Sequence, residues 1–163
     1  MNATAFKLDN LDRRIIDLLQ ENGRLPQQEI ARAIKLSQPA VAERIRKLED
    51  RGVITGYVAR VNAEKLGKDI TAFVGVGIEH PRFFDGFVQG VMKMHDVLEC
   101  HRVAGQDSYL LKIRTQNTRS LDKLLVEGVR TLPGVTRTFT TIVLSSAKES
   151  THTHVPHEPE EAR

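Results

Sequence analysis

Basic side chains recur at helical spacing in the stretch LSQPAVAERIRKLEDRGVITGY, residues 36–57. Arg44, Lys47 and Arg51 are separated by three and four residues, which places them on one side of a helix. Cationic groups on an exposed helix bind phosphates, and arginine also recognises guanine edges. The spacing therefore predicts a helix that binds nucleic acid. The formal net charge of +3 is compatible with a polyanionic partner but does not identify one.

Another side of the same helix is apolar. Val41, Ile45 and Leu48 share a stripe that we expect to pack against two preceding helices, over 9–22 and 27–34. Ser37 is a favourable N-cap for the third helix, over about 38–51. Three helices with a short turn between the second and the third form the helix-turn-helix arrangement. The residues assigned to its DNA interface are Ser37, Gln38, Pro39, Ala40, Glu43, Arg44, Lys47 and Arg51.

A solvated amphipathic helix is the alternative interpretation of this segment. The carboxylates of Glu43, Glu49 and Asp50 nearly balance the basic charges, and Glu43 and Lys47 form a favourable i,i+4 pair. The capping serine, the short preceding helix and the β-rich segment VITGYVARV, residues 53–61, favour DNA binding instead. That last segment predicts a short hairpin or wing.

A turn of polar residues, AGQDS at 104–108, offers a different chemistry. Gly105 allows close approach of a ligand to the backbone, Asp107 can accept from an ammonium group, and Ser108 can donate or accept. An amino-acid ligand requires these functions. The same composition is typical of an ordinary hairpin turn, and the residues alone favour that interpretation.

Three other sets of residues contain side chains that could act in catalysis or metal binding. Cys100 is the only cysteine, so no intrachain disulfide is possible, and the thiol is expected to be structural. His101 and Arg102 are weak support for a tetrapyrrole decarboxylase-like enzyme, because an exposed strand explains them better. The histidines of the tail are expected to be solvated; they are His152, His154 and His157. We therefore predict a protein that is not an enzyme and has no cofactor or metal.

The second half of the chain predicts a different fold. Strands and helices follow in the order βαββαβ, which is the ferredoxin-like arrangement. The predicted elements are a strand at 70–78, a helix at 83–94, strands at 97–104 and 108–115, a helix at 120–132 and a strand at 135–146. The predicted organisation is an α+β protein, with a winged helix-turn-helix domain at 1–61, a linker at 62–69, the ferredoxin-like domain at 70–149 and a disordered tail at 150–163.

The first strand of this domain, ITAFVGVGI at 70–78, has no charged face. Helices cover only one side of a split βαβ sheet, so an apolar second side predicts a partner subunit. A dimer also places two recognition helices at half-sites one helical turn apart. No segment has the apolar length of a signal peptide or membrane span, so we expect a cytoplasmic protein that does not bind membranes.

These motifs resemble the leucine-responsive/asparagine-operon (Lrp/AsnC) or feast/famine regulators. The resemblance rests on LDNLDRRIIDLLQENGR and LSQPAVAERIRKLEDRGVITGY, together with LPGVTRTFTTIVL, and it covers about residues 8–148. It implies a regulator that binds double-stranded DNA and responds to a small molecule, most often an amino acid. It also implies a homodimer that assembles further into an octamer or similar ring. A DNA-architectural protein without an effector is the alternative.

The resemblance also implies an effector site in the second domain. The site residues are Ala104, Gly105, Gln106, Asp107 and Ser108 of the turn, with Thr138 and Thr140 of the last strand. Two positions depart from the family pattern. Lys35 stands where the family usually has glycine in the turn before the recognition helix, and Ser108 stands where it commonly has an acidic residue. The second departure leaves the identity of the effector open.

Overall fold

The computed structural model describes residues 7–157, and contacts within the chain divide it into two units. The first unit comprises the residues up to Arg60 together with those from Glu149 onward. The second unit runs from Val61 to Lys148. Within the described part of the chain, no helix is both long enough and apolar enough to cross a membrane.

Three helices form the first unit, as the apolar periodicity predicts. They are α1 (Asn10–Glu21), α2 (Gln27–Ile34) and α3 (Gln38–Asp50). Asp9 caps α1 by accepting from the Asp12 amide at 2.8 Å, and the Asp12 carboxylate accepts from the Asp9 amide at 3.3 Å. This reciprocal capping pairs amides that have no partner inside the helix. One apolar core joins the three helices; it contains Ile15, Ile30, Ala31, Ile34, Val41, Ile45 and Leu48.

The turn between α2 and α3 has left-handed backbone at Lys35. Its φ is 57° and its ψ is 44°, and its amide donates to the carbonyls of Ala31 and Arg32. Among the described residues, Lys35 is the only non-glycine residue with positive φ. Lys35 therefore replaces the family's usual glycine at a position where glycine would be less strained, because a Cβ is unfavourable in left-handed backbone.

The hairpin predicted for residues 53–61 is not formed. This segment contains no strand, and Val58 and Val61 are 86% and 67% exposed. An isolated hairpin that buries none of its side chains is at best marginally stable, so the β-branched composition alone does not produce a ladder. The β-rich pattern was wrong about strand pairing in this segment.

The second unit is a four-stranded antiparallel sheet with helices on one side. Its strands are β1 (Ile70–Ile78), β2 (Val97–Arg102), β3 (Tyr109–Thr115) and β4 (Val135–Ile142), in the order β2-β3-β1-β4. Its helices are α4 (Phe84–Val91) and α5 (Thr118–Lys123). A π-helical turn at Leu124–Gly128 and a short 3-10 turn at Val129–Thr131 continue α5, where the sequence predicts one uniform helix. The backbone departs from α geometry at Gly128, with φ −112° and ψ −85°.

The two faces of this sheet differ in exposure. Val74 and Val76 are fully buried in the core beneath the helices. On the opposite face, which we call the open face, Phe73 and Phe139 are 37% and 70% exposed. The strand register places Phe139 beside Gly75 and so on the same face as Phe73. The structure thereby assigns the two faces of β1, which the sequence left open.

The segment Glu149–His157 contains neither helix nor strand, yet it contacts α1 of the first unit, to which it belongs. Val155 is only 8% exposed, and Gln20 of α1 hydrogen-bonds the backbone of Thr153. This part of the chain departs from the disordered tail that the sequence predicts at 150–163. Residues 158–163 lie outside the described residues.

Candidate nucleic-acid interface and effector site

The recognition helix α3 is positioned by its cap and its buried stripe. The Ser37 hydroxyl accepts from the Ala40 amide at 3.4 Å, and Pro39 lies in the first turn, as predicted. Val41, Ile45 and Leu48 are all buried in the three-helix core. Burial of this stripe fixes the rotation of α3 and therefore decides which side chains face outward.

Arg44 does not lie on the most exposed side of α3. Its Nη1 donates to Asp12 Oδ1 at 2.6 Å and to Asp9 Oδ2 at 2.8 Å, which ties the recognition helix to the start of α1. The Arg44 side chain is 29% exposed and the Asp12 side chain only 9%. Partial burial opposes the charge of this guanidinium, but Asp9 and Asp12 together raise the pKa of Arg44. The sequence grouped Arg44 with the DNA-binding residues, whereas the structure gives it an internal partner.

Arg46 is an exposed basic residue of α3 that was not among the residues predicted for the DNA interface. Its side chain is 59% exposed and pairs with Glu43 at 2.9 Å and with Asp50 at 2.7 Å. Lys47 lies 3.5 Å from Glu43 and is 55% exposed. At about 100° per residue, Arg46 and Lys47 lie roughly 130° from the middle of the buried stripe, one on each side, while Glu43 and Asp50 lie opposite it. Angles measured from the centre of the apolar stripe, rather than the i+3 and i+4 spacing of basic residues, identify Arg46 as exposed.

The remaining residues assigned to the DNA interface lie at the surface. Ala40 is half-buried at the first turn of α3. The exposed members are Ser37, Gln38, Pro39, Glu43, Lys47 and Arg51. These residues therefore lie at the surface of one helix with Arg46, whereas the half-buried Arg44 has partners at the start of α1.

Tyr57 links the segment after α3 back to the helix. Its hydroxyl donates to Glu49 Oε1 at 2.9 Å. Partial burial and the Glu49 carboxylate raise the pKa of Tyr57 to about 12. The neutral phenol is thus the form that holds residues 53–57 against α3.

The predicted effector turn lies between β2 and β3 of the second unit. Asp107 Oδ1 accepts from Arg137 Nη2 at 3.0 Å, and the same nitrogen donates to the Gln106 carbonyl. The Ser108 hydroxyl accepts from the Ile78 amide at 3.2 Å, which joins the turn to β1. Gly105 has open space on the side where a Cβ would lie. The open space at Gly105 leaves one approach to this turn free.

Two glycines of β1 make room for this ion pair. A Cβ on Gly75 would lie 2.1 Å from Asp107 Oδ2, and one on Gly77 would lie 2.7 Å from Arg137 Cγ. Both side chains therefore lie flat on the open face of the sheet. Arg137 was not among the predicted site residues. It directly precedes Thr138 on β4, so its side chain lies on the opposite face of the strand, and this alternation was the sequence signal that could have identified it.

The two predicted threonines face the other side of the sheet. Thr140 pairs with the buried Val74 and Thr138 with the buried Val76, so both point toward the helical layer. The Thr138 hydroxyl accepts from Arg130 Nε at 2.9 Å. A cleft of about 400 Å³ is lined here by Arg130, Val135, Thr136, Arg137 and Thr138. Within one chain, the structure does not bring Asp107 together with Thr138 and Thr140.

The other candidate groups show no assembled catalytic or metal site. Burial raises the pKa of the half-buried Cys100 thiol, which disfavours the reactive thiolate. His101 is exposed on β2 and lies 3.2 Å from Glu99 Oε2. Among residues 7–157, no three histidine, cysteine, aspartate or glutamate side chains are grouped to hold a metal ion.

Comparison with known proteins gives matches for both units. Residues 8–55 match the model for winged helix-turn-helix DNA-binding domains, and residues 71–153 match the model for the Lrp/AsnC ligand binding domain. The leucine-responsive regulatory protein of Escherichia coli strain K12 is 37% identical over 145 residues, which are 88% of each chain.

Solved structures of similar proteins extend over nearly the whole chain. A transcriptional regulator from Neisseria meningitidis in complex with L-Met is 29% identical, with a TM-score of 0.85, over 89% of this chain and 95% of that one. A feast or famine regulatory protein from M. tuberculosis, complexed with L-methionine, is 37% identical with a TM-score of 0.85. That match covers 92% of this chain and all of the other, 100%.

Proposed function

The chain belongs to the Lrp/AsnC family and is a DNA-binding transcriptional regulator, and from this premise we propose how it binds DNA and what it senses. The exposed side of α3, which carries Arg46 and Lys47, binds the DNA. The Asp107–Arg137 pair on the second unit binds the two charged groups of an amino acid. The observation that carries the second proposal is the pair itself, with 3.0 Å between its charged atoms on an open sheet face.

The DNA proposal follows from what α3 exposes and what it keeps inside. Arg46 and Lys47 are held by Glu43 and Asp50 through exposed ion pairs. Exposed pairs of this kind contribute little free energy in water, so a phosphate can replace the carboxylates. Arg44 then acts inside the unit and orients α3 through Asp12, while Arg46 and Lys47 contact the DNA backbone or base edges.

The effector proposal follows from the charges of the ion pair. Arg137 has a planar fork of donors that suits a carboxylate, and Asp107 has the acceptor that an ammonium group requires. A zwitterionic amino acid can replace each partner of this pair with its own group of the same sign. Complexes of the Neisseria meningitidis and M. tuberculosis relatives with methionine support an amino acid as the ligand class.

Self-association completes the proposal. Phe73 and Phe139 share the open face with Leu110, which is 36% exposed. Exposed apolar side chains grouped in this way are typical of an interface, and a second copy of the same face is the simplest cover for them. We expect the dimer, and any higher ring, to act in the cytoplasm where the DNA is. Thr138 and Thr140 face the helical layer in each subunit, so they are not part of the proposed effector site.

Two measurements test the DNA and effector proposals separately. Fluorescence anisotropy with a random-sequence DNA duplex, followed against salt concentration, should give a negative slope of log affinity that reports phosphate contacts. Isothermal calorimetry with each of the twenty amino acids should show heat for one or more in the wild type and none in Asp107→Ala. Heat that is equal in both proteins would place the effector elsewhere. Absence of heat with every amino acid would favour the DNA-architectural alternative.

A further inference from the structure

The tail contacts a single face of α1 through its backbone. Gln20 Nε2 donates to the Thr153 carbonyl at 2.9 Å, and the Thr153 amide donates to Gln20 Oε1 at 2.7 Å. One amide side chain therefore satisfies both polar groups of one backbone residue. This two-bond arrangement requires an extended partner and is independent of that partner's side chain.

Two further contacts lie one and two turns earlier on the same helix. His157 Nε2 lies 2.6 Å from Asp17 Oδ2, and Arg13 donates to the Pro156 carbonyl. The spacing of Arg13, Asp17 and Gln20, four and then three residues, places all three on one face of α1. The tail thus runs antiparallel to α1, since Thr153 contacts its C-terminal end and Pro156 its N-terminal part.

An apolar residue lies between these polar contacts. Val155 is 8% exposed, although the tail around it consists of polar and charged residues and proline. A valine in a solvated tail would stay exposed, because burial requires a surface to pack against. At the start of the tail, Arg60 Nη2 donates to the Glu149 carbonyl at 3.2 Å. Arg60, the last residue before the chain enters the second unit, therefore contacts Glu149, the first residue after the chain returns to the first unit.

We infer that Glu149–His157 is a docking strap for which α1 provides the surface, and that the strap completes the DNA-binding unit. Arg13, Asp17 and Gln20 form the docking surface, and its ligand is an extended segment of the chain with one apolar residue at its centre. The second unit is then joined to the first at two points of the chain, between Arg60 and Val61 and between Lys148 and Glu149. This inference is independent of the effector and of the DNA contacts of α3.

Amide hydrogen exchange by NMR tests the docking in the full chain. The Thr153 amide should be protected in the wild type, because Gln20 Oε1 accepts from it. Loss of one hydrogen bond of about 1 kcal/mol corresponds to about fivefold faster exchange, so Gln20→Ala should accelerate this amide by at least that factor. Glu21→Ala, on an exposed neighbouring residue of α1, is the matched control and should leave it unchanged. A Thr153 amide that exchanges in the wild type at the rate of an unstructured peptide would overturn the inference.

A second measurement tests whether the strap completes the unit. Truncation after Lys148 and the substitution Val155→Asp should both lower the melting temperature of the first unit and speed the exchange of α1 amides. Thr151→Ala, on an exposed strap residue, should leave both quantities at their wild-type values. Unchanged melting and exchange in the truncated and Val155→Asp proteins would show a tail that rests on α1 without supporting it.

Discussion

Arg44 Nη1 lies 2.6 Å from Asp12 Oδ1, so a basic residue of the recognition helix is ion-paired to the first helix of its own unit. We expect Arg44→Ala to lower the free energy of unfolding by about 1–3 kcal/mol, because a largely buried carboxylate loses its charge-assisted partner. The urea midpoint of the DNA-binding unit should fall, whereas Arg32→Ala, on an exposed residue of α2, should not change it. If Arg44→Ala weakened DNA binding at unchanged stability, Arg44 would contact DNA after all.

Arg46 and Lys47 should show the opposite behaviour. Each alanine substitution should weaken DNA binding and reduce the salt dependence of the affinity by about one phosphate contact, without changing the melting temperature. Lys123→Ala is the control, because Lys123 is an exposed lysine of α5 that pairs with Glu127 at i,i+4 in the other unit. Glu43→Gln should strengthen binding, since it removes a carboxylate that competes with phosphate for both cations. Affinities that match the wild type in Arg46→Ala and Lys47→Ala would remove this face of α3 from the interface.

Lys35 offers a test of backbone strain. Because its φ is 57°, Lys35→Gly should stabilise the first unit by about 1 kcal/mol, the difference between a residue with a Cβ and glycine in left-handed backbone. Lys35→Ala retains the Cβ and should have little effect. Thermal melting of the three proteins distinguishes the outcomes, and a glycine variant that melts below wild type would show that the lysine side chain matters more than its backbone.

Asp9 predicts the acid sensitivity of the first unit. Burial acts to raise its pKa, but the amide of Asp12 and the guanidinium of Arg44 outweigh it, so the pKa of Asp9 in the fold lies below its usual 3.8. A carboxyl group whose pKa is lowered on folding stabilises the fold above its unfolded pKa. That contribution is lost as pH falls through 3.8 toward the lower value in the fold. The melting temperature of the wild type should therefore decline more steeply below pH 5 than that of Asp9→Asn. Glu21→Gln should follow the wild-type curve; identical curves for Asp9→Asn and wild type would contradict the assignment.

The open face predicts the determinant of assembly. Phe139→Asp places a charge on the open face, and light scattering at micromolar concentration should show a smaller particle than wild type. Val76→Asp serves as the contrast: Val76 is fully buried beneath the helices, so its charge should unfold the second unit rather than dissociate it. A Phe139→Asp protein of wild-type size would move the interface away from this face.

The structure could be predicted from the sequence where it follows from periodicity, and less well where it depends on which side chains pair with each other. The three helices, the four strands and their order were predictable, because each combines a regular apolar spacing with caps or glycine and proline breaks. The roles of Arg44 and Arg46 were not. Both are basic residues on one helix, and only the rotation fixed by packing decides which of them meets Asp12.

The same distinction applies to the second unit. The turn at 104–108 could be located from composition, but Arg137 belongs to it only through the register of β1 with β4. A shift of one residue in that register would exchange Arg137 for Thr138 on the open face. Docking of the tail is a long-range contact of a polar segment without periodicity, and no local signal marks it apart from the isolated Val155.

The contact between Arg60 and Glu149 has a consequence for the order in which the protein is made. A ribosome releases α1, α2 and α3 first and the sensing domain next, and it synthesises the strap only after that domain. The DNA-binding unit can therefore form its helices early, but it acquires its last segment only when translation has passed the sensing domain. If the strap completes the unit as we infer, a chain interrupted within the sensing domain would carry its recognition helix on an incomplete support.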